Sequence, residues 1–132
     1  MKVYLAAPWV RKDDAKAARA QLQAAGIDVT SHWLEHEGSA TDSTGSTSPI
    51  AYIQEQAVQD IKDVRRADYL VVLNLERSEG KAVETGVAIA NGIPVISVGK
   101  RSNIFQTLGL EVETLEQAIN FLSVQRELLS HQ

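Results

Sequence analysis

Apolar residues fall along the chain in two alternating patterns: short unbroken runs, and longer stretches spaced by three and four. Residues 3–7 (VYLAA) form an apolar run that Pro8 ends, which predicts a buried first strand. Asp13 or Asp14 can cap a helix from about 15 to 25, rich in Ala, Gln, Lys and Arg, which Gly26 stops. Residues 27–33 carry a short β-branched run, the second predicted strand. Nine of the twelve residues from 38 to 49 are Gly, Ser or Thr, which predicts a flexible loop that cannot bury enough to offset its ordering entropy. Ile50, Ile53, Ala57, Ile61 and Val64 then recur at helical spacing, so 50–66 reads as an amphipathic helix. Residues 69–73 are a third, apolar strand, 82–90 a helix stopped by Asn91-Gly92, and 94–98 a fourth strand. The helix predicted over 114–129 can be capped by Thr114, with Glu116 in its first turn.

This alternation predicts an α/β fold: a single-domain parallel sheet of about five strands, helices on both faces, Rossmann-like or flavodoxin-like. Such sheets bind ligands at the carboxyl ends of their strands. The segments to search are therefore 8–12, 32–49, 74–84 and 99–107. Length agrees with one domain over 1–132, with no internal repeat. With 17 acidic against 13 basic residues the charge is −4, which argues against gripping a nucleic acid polymer through its phosphates. The absence of cysteine excludes disulfides, cysteine–zinc and iron–sulfur sites and a thiol nucleophile. The opening segment has few apolar residues before Pro8 and the charged run Arg11-Lys12-Asp13-Asp14, and no later segment is long enough to span a bilayer. The expectation is a soluble, cytoplasmic protein without membrane contact.

Glu84 draws the most attention. Only it and Thr85 are polar among residues 82–90, and a helix apolar on nearly every side is expected to be buried, against the sheet and a second subunit. Gly86, Ala88 and Ala90 permit close approach. The positive helix end favours an ionised carboxylate, and the Ser78-Glu79-Gly80 turn can face backbone amides toward an anion. The other reading of Glu84 is a structural helix-end carboxylate. Asp60 lies on the margin of the apolar stripe, and alone reads as a surface aspartate. Lys62 and Asp63 read as a solvated face, and Tyr4 as a core aromatic.

Other patterns fail on context. His32-Trp33-Leu34-Glu35-His36 matches a zinc-peptidase motif, but that motif needs a helix, and here it leaves a strand and enters the Gly/Ser/Thr loop. Lining of a ligand pocket suits His32 and Trp33 better. Gly80-Lys81 lacks the rest of a phosphate-binding loop, no G-x-G-x-x-G follows the first strand, and no G-x-S-x-G is present.

Taken in order, the motifs resemble the nucleoside 2-deoxyribosyltransferase-like family. The pieces are Val3-Tyr4-Leu5-Ala6, then Asp60 ahead of Ala67-Asp68-Tyr69-Leu70-Val71-Val72, and Gly80 with Glu84-Thr85-Gly86-Val87-Ala88. Gly92-Ile93-Pro94-Val95-Ile96 follows, and the tail from Val98 to Phe105 is similar to the V-G-x-R-x-N-x-F of short bacterial and phage-type members. The resemblance implies cleavage of the N-glycosidic bond of 2′-deoxynucleosides or their 5′-monophosphates. Glu84 would be the nucleophile that forms a covalent glycosyl intermediate, Asp60 the acidic residue serving the leaving base, and Tyr4 the residue that holds Glu84 or the sugar. Ala6, Pro8, Arg11, His32, Trp33, Ser78, Gly80 and Asn103 make up the expected substrate-binding set. Partners are then a small nucleoside or nucleotide and a free nucleobase, with no cofactor or metal. At least a homodimer is implied, with 82–90 near the interface.

One position departs from the transferase pattern. Where transferases carry an aspartate six residues before the nucleophile, near the sugar 5′-hydroxyl, this chain has Ser78. The 5′-monophosphate N-glycosidases of the family have a serine there that contacts phosphate; a carboxylate would repel it. Arg11 could add charge. Transfer to a second base and hydrolysis by water therefore both stand. So do a non-catalytic nucleotide-binding module on the same fold and a purely structural protein.

Overall fold

Val3, Tyr4, Leu5 and Ala6 are completely buried, as are Leu70, Val71 and Val72. Strands this apolar on both faces belong inside a covered parallel sheet. The computed structural model describes residues 1–36 and 49–130. The flexible-loop expectation for 38–49 therefore lies, Pro49 apart, outside the described residues. In chain order the elements are β1 (Lys2–Ala6), α1 (Lys12–Ala24), β2 (Asp28–Val29), α2 (Ile50–Arg65), β3 (Tyr69–Leu73), α3 (Glu79–Ala90), β4 (Val95–Val98), β5 (Leu110–Val112) and α4 (Leu115–Ser130). Short 3-10 turns occupy Trp9–Arg11, His32–Glu35 and Ile104–Leu108.

All five strands are parallel, in the order β2-β1-β3-β4-β5. Tyr4 lies beside Leu70 and Leu5 beside Val71. The chain runs outward from β1 to β2, then returns to β3 on the other side of β1. Right-handed crossovers place α1 on one face and α2 and α3 on the other. On the first face Arg126 of α4 donates to the Ala25 carbonyl at the end of α1, at 2.7 Å. α1 presents Ala15, Ala18 and Leu22 to the core, and Gly26 ends it at φ 80°. The reversal between β1 and β3 is a topological switch point, where open sheets of this kind take their ligands.

Two strand expectations need correction. The run 27–33 contributes only Asp28 and Val29 as a strand. Beyond them Ser31 takes the place of a ladder partner with its side chain: its hydroxyl accepts from the Leu5 amide at 2.7 Å and donates to the Leu5 carbonyl at 3.2 Å. The chain then turns into the 3-10 segment His32–Glu35. The fifth strand is the three-residue β5, Leu-Glu-Val, too short and too exposed to stand out as a strand in the apolar pattern.

The helices also sit differently from their patterns. α3 turns Lys81, Thr85 and Ala88 inward, while Val83 is 60% exposed and Ala82, Gly86 and Ala90 face outward, so among the described residues nothing covers that face. Its apolar composition is not burial on every side. In α2 the fully or nearly buried residues are Gln56, Asp63 and Val64, whereas Ile50, Ala57 and Ile61 are exposed. The apolar stripe of α2 looks into a cleft more than into the core.

Candidate active site

A cleft of about 370 Å³ opens above the carboxyl ends of β1 and β3, between α2 and α3. Ile53, Ala57, Asp60, Ile61 and Val64 of α2 form one wall, and Glu79, Gly80, Val83, Glu84 and Val87 of α3 the opposite one. Ala7, Trp9 and Trp33 close it from the β1 side. The indole rings of Trp9 and Trp33 are 6.1 Å apart and tilted by 40°. The Lys12 ammonium lies 4.2 Å from the Trp9 ring centre, a cation–π contact. Trp33 is itself anchored, its indole N–H donating to the Leu5 carbonyl at 2.9 Å.

Tyr4 and Glu84 meet at the base of this cleft. Strand alternation sends the Tyr4 side chain out of β1 toward α3, and its hydroxyl donates to Glu84 Oε2 across 80 residues of sequence. The ring is wholly buried. Burial, then the charges of Glu84 and Asp60, the hydrogen bond to Glu84 and the charge of Asp63, push the phenol well above its ordinary value. Tyr4 thus remains a donor wherever the carboxylates are ionised. Asp60 lines the α2 wall opposite Glu84, and with Glu79 three carboxylates share an otherwise largely apolar cleft; the charges of Glu84 and Asp60 both act on the phenol.

Of the other expected site residues, Trp33 and Gly80 line the cleft. Ala6 is buried in β1 and its neighbour Ala7 reaches the cleft; Pro8 is the N-cap of the turn Trp9–Arg11. Arg11 is held by Asp14 at 2.8 Å and Glu76 at 3.2 Å, which ties the segment after β1 to the segment after β3. Ser78 caps α3, its hydroxyl accepting from the Lys81 amide at 3.2 Å. Asn103 caps the turn Ile104–Leu108, accepting from the amides of Phe105 and Gln106, and is not part of the cleft lining. His32 turns to Asp63 and Glu35 pairs with Arg19, so two of the three residues of the zinc-like motif are held in other contacts. Among the described residues no group of three acidic or histidine side chains is placed to hold a metal ion. His36 is pushed below the ordinary imidazole range by burial and then by Lys12 and His32.

Two buried charges were not legible as such. Asp63, read as solvated, is fully buried. It accepts from the His32 amide and ring, from Gln59 and from Arg66, each at 2.9 Å. Burial works to raise its carboxyl, but these donors outweigh burial and hold it below the ordinary carboxylate range. Lys81 is 2% exposed and donates to the Glu76 carbonyl at 2.6 Å. Burial lowers its ammonium, offset in part by Glu76. An i, i+3 pattern can suggest Asp63 and Arg66 as partners, but nothing local points to His32, 31 residues away.

The fold and cleft define an α/β protein with a flavodoxin-like strand order and a Tyr–carboxylate site at its switch point. The sequence profile of the nucleoside 2-deoxyribosyltransferase family matches residues 3–122, and the chain belongs to that family. Its fold is similar to a conserved protein from Enterococcus faecalis (TM-score 0.69, 21% identity, covering 96% of this chain and 98% of that one). It is also similar to a 2-deoxyribosyltransferase from Bacillus psychrosaccharolyticus (TM-score 0.62, 21% identity, 91% of each chain). A CMP N-glycosidase from Clostridium botulinum shares the fold at TM-score 0.56 and 17% identity, covering 94% of this chain and 99% of that one. No curated protein matches the sequence significantly. Among the described residues no helix is long and apolar enough to cross a membrane.

Proposed function

We propose that this protein cleaves the N-glycosidic bond of 2′-deoxynucleosides or their 5′-monophosphates and passes the sugar to another base. The observation that carries this reading is the hydrogen bond from buried Tyr4 to Glu84 at the base of an apolar cleft that Asp60 enters from the other side. A carboxylate oxygen of Glu84 attacks C1′ as the C1′–N bond breaks and its electrons leave with the base. Asp60, in its protonated form, gives the departing base a proton. The transition state carries positive charge on the sugar, which the Glu84 carboxylate stabilises before it captures the carbon. A nitrogen of a second base then attacks C1′ as its N–H proton passes to the Asp60 carboxylate, the ester bond breaks, and Glu84 regains its charge. Trp9 and Trp33 offer aromatic faces against which a base can stack.

Hydrolysis of 5′-monophosphates, with water as acceptor, is the second reading. It is favoured by Ser78, a hydroxyl in place of a carboxylate six residues before Glu84, at the N-terminus of α3. The exposed small-residue face of α3 supports a homo-oligomeric working form, with a second copy of the chain packed there.

The test is incubation with each deoxynucleoside and each 5′-monophosphate, with and without a different free base, followed by chromatography. A new nucleoside that forms only with added base supports transfer. Free base released from monophosphates alone supports hydrolysis. Glu84→Ala is expected to abolish both. If the wild type leaves every substrate intact, the enzyme reading is wrong and a binding module takes its place.

A further inference from the structure

Asp63 takes no part in the reaction above, yet its carboxylate is fully buried and fully hydrogen-bonded. A buried carboxylate without good partners is costly, and this one has donors for both oxygens. Gln59 and Arg66 come from its own end of the helix segment. The His32 amide and ring come from the turn His32–Glu35, which carries Trp33. The Asp63 carbonyl also accepts from Thr30 Oγ1 at 2.9 Å. One residue of α2 thus grips the segment after β2 through both side chain and backbone. Asp60 stands three residues before Asp63 on α2, and Trp33 follows His32 directly.

We propose that Asp63 is a positioning residue that, by clamping His32 onto α2, sets the Trp33 wall of the cleft against Asp60. The inference rests on the reading of the cleft as the site for a nucleobase and its sugar. An ionised carboxylate can only accept, so His32 Nδ1 carries the shared proton and the ring is held in one tautomer. Trp33 is anchored to β1 through the Leu5 carbonyl. The clamp therefore fixes the width between the Trp33 wall and α2, and its loss is expected in substrate affinity more than in the chemical step.

The chain's two tryptophans, Trp9 and Trp33, both line the cleft, so their fluorescence reads this wall directly. Asp63→Asn, His32→Ala and their double variant are to be compared with Arg66→Ala, which removes a donor that lies on the α2 side. Three readouts apply: Trp33 emission in a Trp9→Phe background, quenching by titrated 2′-deoxynucleosides and their 5′-monophosphates, and kcat and KM. Expected are a red-shifted Trp33 emission without ligand, about a tenfold rise in KM and in the quenching midpoint, and kcat within about threefold. The double variant is expected to be no worse than the worse single one, and Arg66→Ala to leave KM unchanged. Unmoved emission and KM, fully additive effects, or a loss confined to melting temperature would overturn the clamp. If Asp63→Asn does not fold, His32→Ala alone must show the emission and KM changes. If the wild type turns over nothing, the reaction reading falls, while ligand-free emission still decides the clamp.

Discussion

Tyr4→Phe removes a single oxygen from the centre of the proposed site. The hydroxyl donates to Glu84 and its ring is wholly buried, so phenylalanine keeps the packing and deletes only the bond. A hydrogen bond to an ionised acceptor is worth about 1.5–3 kcal/mol. That bond favours the charged form of Glu84, so the acid limb of kcat/KM against pH is expected to move to higher pH in Tyr4→Phe. On the plateau the loss is one of orientation. Freeing a side chain like glutamate to sample other rotamers costs about 0.5–1.5 kcal/mol. At about 1.36 kcal/mol per factor of ten, the plateau rate falls about two- to tenfold. Base release followed by chromatography across a pH series gives both quantities, with Glu84→Ala as the baseline. Stability offers a cross-check. The folded phenol titrates well above 10.0, so the unfolded chain loses that proton first and wild-type stability falls as pH rises past that value. Tyr4→Phe lacks this contribution to the alkaline slope. A variant with both acid limb and plateau unmoved refutes the assignment of Tyr4 as the partner of the nucleophile.

Asp60→Asn is expected to slow base release about 10²- to 10⁴-fold, the usual weight of a general acid, with recovery on a 7-methylated purine nucleoside whose base leaves without a proton; equal loss on both substrates argues against the acid role. Gly109→Ala places a Cβ 2.1 Å from the Val95 carbonyl oxygen, backbone that cannot yield cheaply, so β4 and β5 must part locally. A loss of about 1–3 kcal/mol of stability, read as a lowered urea midpoint, is expected, and an unchanged midpoint contradicts the close approach. A Cβ at Gly86 meets no atom within 4 Å in the single chain, and leucine in place of glycine favours a helix by up to about 1 kcal/mol. Gly86→Leu is therefore expected to fold well and yet to elute as a smaller species with reduced activity; unchanged elution and activity argue against α3 as a subunit contact.

Much of the architecture is legible because β1 and β3 are unbroken apolar runs, and such runs belong to covered parallel strands. α2 was legible from its spacing, although the stripe that revealed it lines a cleft. Periodicity reports which residues share a face and not what that face meets, and α3 shows the same limit with Val83 and Gly86 outward. β2 was overextended because Ser31 satisfies Leu5 through a side chain, a contact that leaves no mark in the hydrophobic pattern. β5 leaves little trace in the pattern because its residues are few and partly exposed. At the site, the lone carboxylate of an apolar helix made Glu84 conspicuous. The burial of Asp63 is not legible because its setting, Asp-Ile-Lys-Asp, is that of a surface helix, and its burial depends on His32 and Gln59 supplying matching donors. Ser78 and Asn103 both cap helical turns, a role that their residue types favour.

The apolar stripe of α2 has a consequence for the lifetime of the protein. Ile53, Ala57 and Ile61 face an open cleft, so folding leaves part of their hydrophobic gain unrealised until something fills that space. A ligand held only by the folded chain adds RT ln(1 + [L]/Kd) to stability, about 2.7 kcal/mol at a hundredfold excess over Kd. Substrate supply then acts on the amount of the protein as well as its turnover. On the proposed reading, a chain deprived of nucleosides is expected to open more often and be cleared faster by proteases than a well-supplied one, which pulse proteolysis with and without added nucleoside checks.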